Sequence, residues 1–286
     1  MGITVLSLFD GISCGRIALE RAKIKINKYY ASEIDKNAIQ ISKNNYKDII
    51  QLGDINNIDE DIIKSIGKID LVLGGSPCQG FSRAGKGLNF EDSRSKLFFN
   101  FVDILNIVKK YNPNVKFLLE NVQMNKEWIK VINEYMGVEA ISINSKLVSA
   151  QNRPRLYWTN INFEPIEDKN INLISNIDNE IRIKQATKKG YIVANNGDGV
   201  NLSFPLSKSR RGRVISKKSS TLDTSCNLCV YYNDIIRRFT IEELEKLQTL
   251  PIGYTKGLSD RARVKAIGNG WTVDVISHIL RGILWI

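Results

Sequence analysis

The sequence predicts an α/β protein: a mainly parallel sheet with helices on both faces, followed by a smaller, irregular second domain. Three observations carry this reading. Through residues 1–162, short apolar runs alternate with longer helix-period segments, and strands alternating with helices build βαβ units. Beyond that point the alternation breaks up, and Asn, Gly, Ser and Lys become frequent. Polar residues suited to chemistry stand just after the apolar runs. In open α/β sheets, ligands bind there, outside the carboxyl ends of the strands.

Taken in order, Thr4–Leu8 reads as a buried strand, and a glycine-bearing turn leads into a helix over about Ser13–Ala22. Tyr29–Ser32 is the next strand, closing on Glu33 and Asp35, and Lys36–Asn45 is a helix. A short strand, Ile50–Leu52, precedes Asp54, and the strongly apolar Ile69–Gly74 runs into GGSPCQGFS. A helix over about Lys96–Tyr111 stops before Pro113, because proline cannot continue it. Val115–Leu119 is a strand ending at Glu120, followed by a helix (Lys126–Tyr135) and strands at Val138–Asn144 and Leu156–Ile161. A helix at Ile241–Leu250, the Gly268-Asn269-Gly270 turn and an amphipathic helix over about Val273–Leu284 complete the chain. These elements divide into a first domain (1–162), a second (163–240) and a C-terminal segment (241–286) that returns to the first.

The bulk numbers narrow the function. With 286 residues, 43% of them hydrophobic, the chain can bury one large core, or one large and one small. Its 41 basic and 30 acidic side chains leave a net charge of +11. Lys and Arg gain by displacing the counterions condensed on nucleic acid, so a phosphate-rich partner is expected; plain solubility is the other reading. The start lacks a basic region followed by an apolar run, so no secretory signal is expected. No stretch reaches the ~18 apolar residues of a membrane span. Four cysteines (Cys14, Cys78, Cys226 and Cys229) are too few for a disulfide scaffold, which points to a reducing, cytoplasmic setting.

Phe9-Asp10-Gly11 to Gly15 joins a strand to a helix, and its glycines permit a tight turn and close approach of backbone to a ligand. It is either a ligand loop or a plain strand-to-helix turn. An acid closing the next strand, here Glu33, can take both hydroxyls of a ribose; otherwise it is a solvated carboxylate. Cys78, after an apolar strand and Pro77, is either a nucleophile favoured as thiolate by a nearby cation or helix N-terminus, or a small buried hydrophobe. Glu120 can exchange a hydrogen bond with a ring nitrogen, and Arg153 and Arg155 can fix a carbonyl or phosphate; either feature alone could be a surface ion pair. Cys226-Asn227-Leu228-Cys229 is a lone CxxC and His278 a lone histidine, so no metal is expected.

Nine segments together resemble the DNA (cytosine-5)-methyltransferases over nearly the whole chain: SLFDGISCG, EID, GDI, GGSPCQGFS, DSRSKLFF, ENV, QNRPRLYW, ELEKLQTLP and AIGNGWTVDV, in the family's order and at family-like spacing. The resemblance implies a Rossmann-like class I methyltransferase domain with a small target-recognition domain, S-adenosylmethionine as cofactor and S-adenosylhomocysteine as product. It implies that Phe9 stacks on the adenine, that Asp10, Gly11 and Gly15 shape the loop, and that Glu33 binds the ribose beside Ile34. Asp54 and Ile55 would read the adenine edge, with Pro77, Leu97 and Asn269 completing the pocket. Cys78 would be the nucleophile, with Glu120 and Arg155 holding a flipped cytosine and Arg153 in support. The three-glycine stretch Gly80–Asn89 would close over it.

Gln79, Ser82 and the Thr221-Leu222 element would face double-stranded DNA, and Arg210, Arg211, Arg213, Lys217 and Lys218 are candidates for phosphate or guanine contacts, or else a solvated basic face. The expected setting is a prokaryotic or phage-infected cytoplasm, with the enzyme monomeric and a cognate restriction endonuclease as a candidate partner. Two other readings stand beside this one: a transfer-RNA cytosine-5 methyltransferase, whose Cys-Phe-Thr signature is missing from the sequence, and a catalytically silent DNA-binding protein.

Overall fold

A computed structural model describes residues 2–76, 93–173, 180–225 and 227–285. The first part of the chain runs β1 (Ile3–Leu8), α1 (Cys14–Arg21), β2 (Ile26–Ser32), α2 (Lys36–Asn45), β3 (Ile49–Gln51), α3 (Glu60–Ile66), β4 (Leu71–Gly74), α4 (Ser93–Tyr111), β5 (Lys116–Val122), α5 (Lys126–Met136), β6 (Ile141–Asn144) and β7 (Pro154–Thr159). There follow β8 (Glu180–Lys184), β9 (Tyr191–Asn195), β10 (Gly199–Asn201), β11 (Val214–Ile215), β12 (Leu228–Tyr232), β13 (Ile235–Arg238), α6 (Ile241–Leu247), α7 (Asp260–Asn269) and α8 (Val273–Leu280).

Two compact units result. The first comprises Met1–Ile143, Pro154–Pro165 and Val273–Ile286, and the second Asn144–Arg153 and Ile166–Thr272. The first unit is built on a seven-stranded sheet of order β3-β2-β1-β4-β5-β7-β6. Neighbours from β3 through β5 are parallel, and β7 runs antiparallel to β5. Strands covered on both faces must be apolar throughout, and Leu71–Gly74 and Val5–Leu8 are buried at every position. Chain order reverses direction across the sheet between β1 and β4, which is where a ligand crevice opens in folds of this kind.

The helices begin where short polar side chains can take the free backbone N–H groups. Asp35 accepts from Asn37 N and Ala38 N at the start of α2, and Asn125 accepts from Trp128 N at the start of α5. Gly137, at φ 70°, ends α5 in the left-handed conformation that glycine adopts freely. Along α5, Trp128, Ile132 and Met136 recur every four residues and form its buried stripe. Helix α3 is absent from the sequence reading. Its seven residues are too few to display an apolar period, although Asp59 caps it and Glu60 and Asp61 stand in its first turn.

The second unit departs from the irregular texture expected of it. It contains a four-stranded antiparallel sheet, β11-β10-β12-β13, and the hairpin β8-β9, whose apolar centre is Ile183, Ala194, Val200, Cys229 and Tyr231. Strands of two to five residues, separated by Asn- and Gly-bearing turns, are too short to show alternation in the sequence. Helices α6 and α7 also belong to this unit, so the return to the first unit begins at Val273 rather than at residue 241. The buried Gln248 explains the grouping: its amide donates to Ile267 O and Gly270 O at 2.9 and 2.8 Å. Gln151 adds a second tie, donating to Leu247 O at 3.0 Å while its own carbonyl oxygen accepts from Leu222 N.

Helix α8 packs on α1 within the first unit. Val273, Val275, Ile276, Ile279 and Leu280 are buried, and Arg21 pairs with Asp274 at 2.7 Å. The His278 ring contacts Glu164 O at 2.7 Å and meets Phe163 edge-on, so this histidine serves packing. Gly282 follows, and a side-chain carbon there would lie 1.9 Å from Asn162 O. Gly282→Ala should therefore destabilise the first unit by about 1–3 kcal/mol, the usual cost of overpacking. Urea unfolding of both proteins measures this, and an unchanged midpoint would refute the docking of this segment.

Candidate active site

The hydrogen-bond register of the sheet aligns the strand ends. Leu8 pairs with Ser32 on one side and Gly74 on the other, and Gly74 pairs with Leu119. The next residue on each strand therefore falls on one row: Phe9, Glu33, Gly75 and Glu120. Four sequence-predicted or adjacent positions thus converge on a single edge, at the crevice between β1 and β4.

Glu33 holds the first half of the site together. Its Oε2 accepts from Gly11 N at 2.8 Å, and Oε1 accepts from Ile34 N and Asp35 N, each at 2.8 Å. Phe9 and Gly11 adopt φ of 57° and 60°, so the chain turns sharply between β1 and α1. No described atom lies within 4 Å of where a side-chain carbon would stand at Gly11 or Gly53. Ile34 is an apolar side chain left 70% exposed beside this space. Phe9 and Leu97 are partly buried against the core. Open space over two glycines, a fixed carboxylate and an unpartnered apolar side chain suit a nucleoside-bearing ligand, with a ribose at Glu33 and an aromatic ring at Ile34. Asp54 spends one oxygen on Asn56 N and Asn56 Nδ2. The Ile55 side chain is buried in the core, which leaves its backbone as the part of this residue that could meet an adenine edge.

Beneath the loop lies a buried polar group that the sequence did not single out as a network. Asp10 accepts from Ser13 Oγ at 2.5 Å and from Tyr29 OH at 2.7 Å, and Ser13 Oγ also meets Ser42 Oγ. Burial pushes the Asp10 carboxyl up from 3.8 to about 6, against the opposing pull of hydrogen bonds from Ser13, Ser7 and Tyr29.

The second half of the site is an ion pair. Arg155 Nε lies 3.0 Å from Glu120 Oε1, and both side chains are nearly buried. The antiparallel pairing sets Val122 opposite Arg155 and Glu120 opposite Tyr157. Glu120 and Arg155 are therefore diagonal neighbours on one face, within reach of a long side chain. Asn121, also buried, turns the other way and donates to Ser76 Oγ at 3.1 Å. It thus fixes the last described residue before the segment that carries Cys78. The expectations for Pro77, Cys78, Gln79, Ser82 and Gly80–Asn89 lie outside the described residues.

In the second unit the structure separates the predicted basic residues. Arg213 is corrected from a DNA contact to an internal brace, and Arg153, expected in support of the cytosine site, is a brace too, because both guanidinium groups are buried on main-chain carbonyls. Arg153 donates to Leu222 O, Gly268 O and Gly270 O at 3.0–3.2 Å. Arg213 donates to Asn201 O, Ser203 O and Phe204 O at 2.7–3.1 Å. Lys218 Nζ bonds to Ile171 O, and Thr221 Oγ1 to Asn152 O. Arg211 is exposed, donating to Ala186 O, and Lys217 is exposed with φ 50°. Arg210 stands over the Phe204 ring. Asn269 is exposed at the end of α7. Among the described residues no cluster of three or more His, Cys, Asp or Glu could hold a metal. None of their helices is long and apolar enough to cross a membrane.

Comparison with known proteins adds a family. A family model described as C-5 cytosine-specific DNA methylase matches residues 3–190 and 140–285. The chain is 29% identical to the type II methyltransferase M1.ScrFI of Lactococcus lactis subsp. cremoris, over 98% of this chain and 77% of that protein. It is 35% identical to the orphan methyltransferase M.SPRI of Bacillus phage SPR, over 58% of this chain and 39% of that one. In shape it matches the Entamoeba histolytica methyltransferase EhMeth with a TM-score of 0.67, over 99% of this chain and 98% of that chain, at 18% identity. That likeness is one of fold.

The Asp10 site makes a pH-dependent prediction. Its folded-state pKa of about 6 lies above the ordinary 3.8, so the folded chain holds the proton more tightly. The stabilisation is full below about pH 4 and is lost as pH rises through 6. The stability of Asp10→Asn relative to wild type should therefore rise by on the order of 3 kcal/mol between pH 4 and pH 7. Urea titrations across this range measure it; a difference that stays flat with pH would exclude a perturbed Asp10.

Proposed function

Because the chain belongs to the C-5 cytosine-specific DNA methylase family, we propose that it transfers a methyl group from S-adenosylmethionine to carbon 5 of cytosine within a specific duplex DNA sequence. The observation that carries this reading is the Glu120–Arg155 pair, on the same sheet edge as the Glu33 cleft and next to the strand that leads to Cys78. S-adenosylmethionine, when bound, supplies an electrophilic methyl group. Glu33 takes the ribose hydroxyls, and three backbone N–H groups already hold its carboxylate in place. Phe9 and Ile34 cover the adenine ring.

Carbon 5 of cytosine is a poor nucleophile until the ring's conjugation is broken. The Cys78 thiolate adds to carbon 6, and the displaced electron pair moves toward ring nitrogen 3. Glu120, hydrogen-bonded at that nitrogen, and Arg155, at the carbonyl oxygen, stabilise the developing charge. Carbon 5 would then take the methyl group as its bond to the sulfonium sulfur breaks, leaving S-adenosylhomocysteine. Loss of the carbon 5 proton to a base restores the double bond as the bond from carbon 6 to sulfur breaks and Cys78 leaves as thiolate. A cytosine inside a duplex is out of reach, so it must be flipped out, at a cost of a few kcal/mol. The second unit serves as target-recognition domain, and the enzyme acts as a monomer. A type II role would pair it with a restriction endonuclease of the same target; an orphan role would not.

Labelled S-adenosylmethionine and unmethylated duplex DNA should yield label in 5-methylcytosine after digestion to nucleosides. Cys78→Ala should abolish it. Glu120→Gln or Arg155→Ala should lower kcat/KM by about 100-fold or more, the usual loss of one preorganised stabilising group, while S-adenosylhomocysteine still binds. Label in N4-methylcytosine or N6-methyladenine would refute the Cys78 chemistry. Label confined to transfer RNA would move the substrate, and DNA binding without transfer would mark a silent binder.

A further inference from the structure

The loop between β10 and β11 displays large apolar side chains to solvent. Phe204 is 72% exposed and Leu206 89% exposed, at the tip of a turn closed by Ser207 N donating to Phe204 O. Exposed single apolar residues are ordinary, but this tip is held out by a built support. Phe204 has φ 52° and is followed by Pro205. A bulky side chain at positive φ is disfavoured, and a following proline restricts the residue further. Such backbone persists only where its surroundings over-determine it.

Here the surroundings are Arg213, a buried cation devoted to three carbonyls of the turn, Phe204 O at 2.7 Å among them. Asn201 completes the support, its N–H donating to Arg213 O and its side-chain oxygen accepting from Ser203 N. Lys208, Arg210 and Arg211 follow the tip in the chain, and the Arg210 guanidinium lies 5.5 Å from the Phe204 ring centroid. An apolar point with a cation against it and others close in the chain suits a stack of bases between two phosphate strands. Apolar side chains that enter duplexes act as wedges, partly unstacking a base step.

Resting on the proposed function, we infer that the 202–211 loop is a DNA wedge, with Phe204 inserting into the base stack of the target duplex and Arg210 and Lys208 engaging the flanking phosphates. Unstacking at the wedge would lower the cost of extruding a base from the duplex.

The test uses the full chain and a duplex oligonucleotide carrying the site found by bisulfite sequencing of plasmid methylated by the enzyme. Phe204→Ala should weaken binding to this duplex about tenfold, since stacking of an aromatic on a base is worth about 1–3 kcal/mol and 1.4 kcal/mol is tenfold. Affinity for S-adenosylhomocysteine and the thermal midpoint should match wild type. In Phe204→Trp the new indole should be shielded from iodide when the duplex is added, and Phe204→Leu should recover part of the affinity. Unchanged duplex affinity in Phe204→Ala, or an indole still open to iodide, overturns the wedge. Loss of self-association in Phe204→Ala with duplex affinity intact assigns the tip to a contact between copies instead. A fall in thermal midpoint and cofactor affinity together would make Phe204 structural. Wild type that binds no duplex defeats the proposed function itself, whereas wild-type binding with an indifferent Phe204 defeats only the wedge.

Discussion

The candidate site hangs on the register of one sheet. Leu8, Ser32, Gly74 and Leu119 occupy a single hydrogen-bonded row, so the chain leaves four strands at the same height. A shift of one residue in any pairing would turn that strand's side chains to the other face. Phe9, Glu33 and Glu120 would then no longer share an edge. The register is held by burial, since Val5, Leu6, Leu8, Leu71, Val72, Leu73, Leu118 and Leu119 are all fully enclosed. A slip would carry them to the other covered face and into mismatched packing, at a cost of about 1–3 kcal/mol each. Core packing and site geometry are therefore one constraint.

Polar groups convert that coarse alignment into fixed geometry. Half-buried Glu33 ties the turn after β1 to the turn after β2. Asn121 ties the end of β5 to the residues leaving β4. Asp10 joins β1, β2 and α2 through Tyr29, Ser13 and Ser42. The last two are buried and satisfied by several partners, the condition under which such a network rigidifies. The Glu120–Arg155 pair follows the same rule: removal of either member strands a buried charge.

The second unit uses cations in two ways. Arg153 and Arg213 sit inside it and brace it, each donating to three main-chain carbonyls. A guanidinium suits this task because its planar fork carries five donors. Lys217 and Arg211 remain at the surface. Net positive charge alone did not separate these roles, because charge is a property of composition and burial is a property of packing.

Most strands and helices of the first unit, the acids Asp10, Glu33, Asp54 and Glu120 and the family were legible in the sequence, because parallel strands buried on both faces read as continuous apolar runs and the motifs are contiguous. The short strands β8–β13 and helix α3 were not, since elements of this size show no period, nor was α7, which buries few large apolar side chains. Nor did the sequence determine that Glu120 and Arg155 meet, because that needs the antiparallel pairing of β5 with β7, a contact between residues 35 positions apart. It also could not tell a bracing arginine from a surface one, or expose Phe204 at a strained turn. Local patterns determined what each segment is; only tertiary structure decided which side chains share a face, because that depends on register and burial between segments distant in the chain.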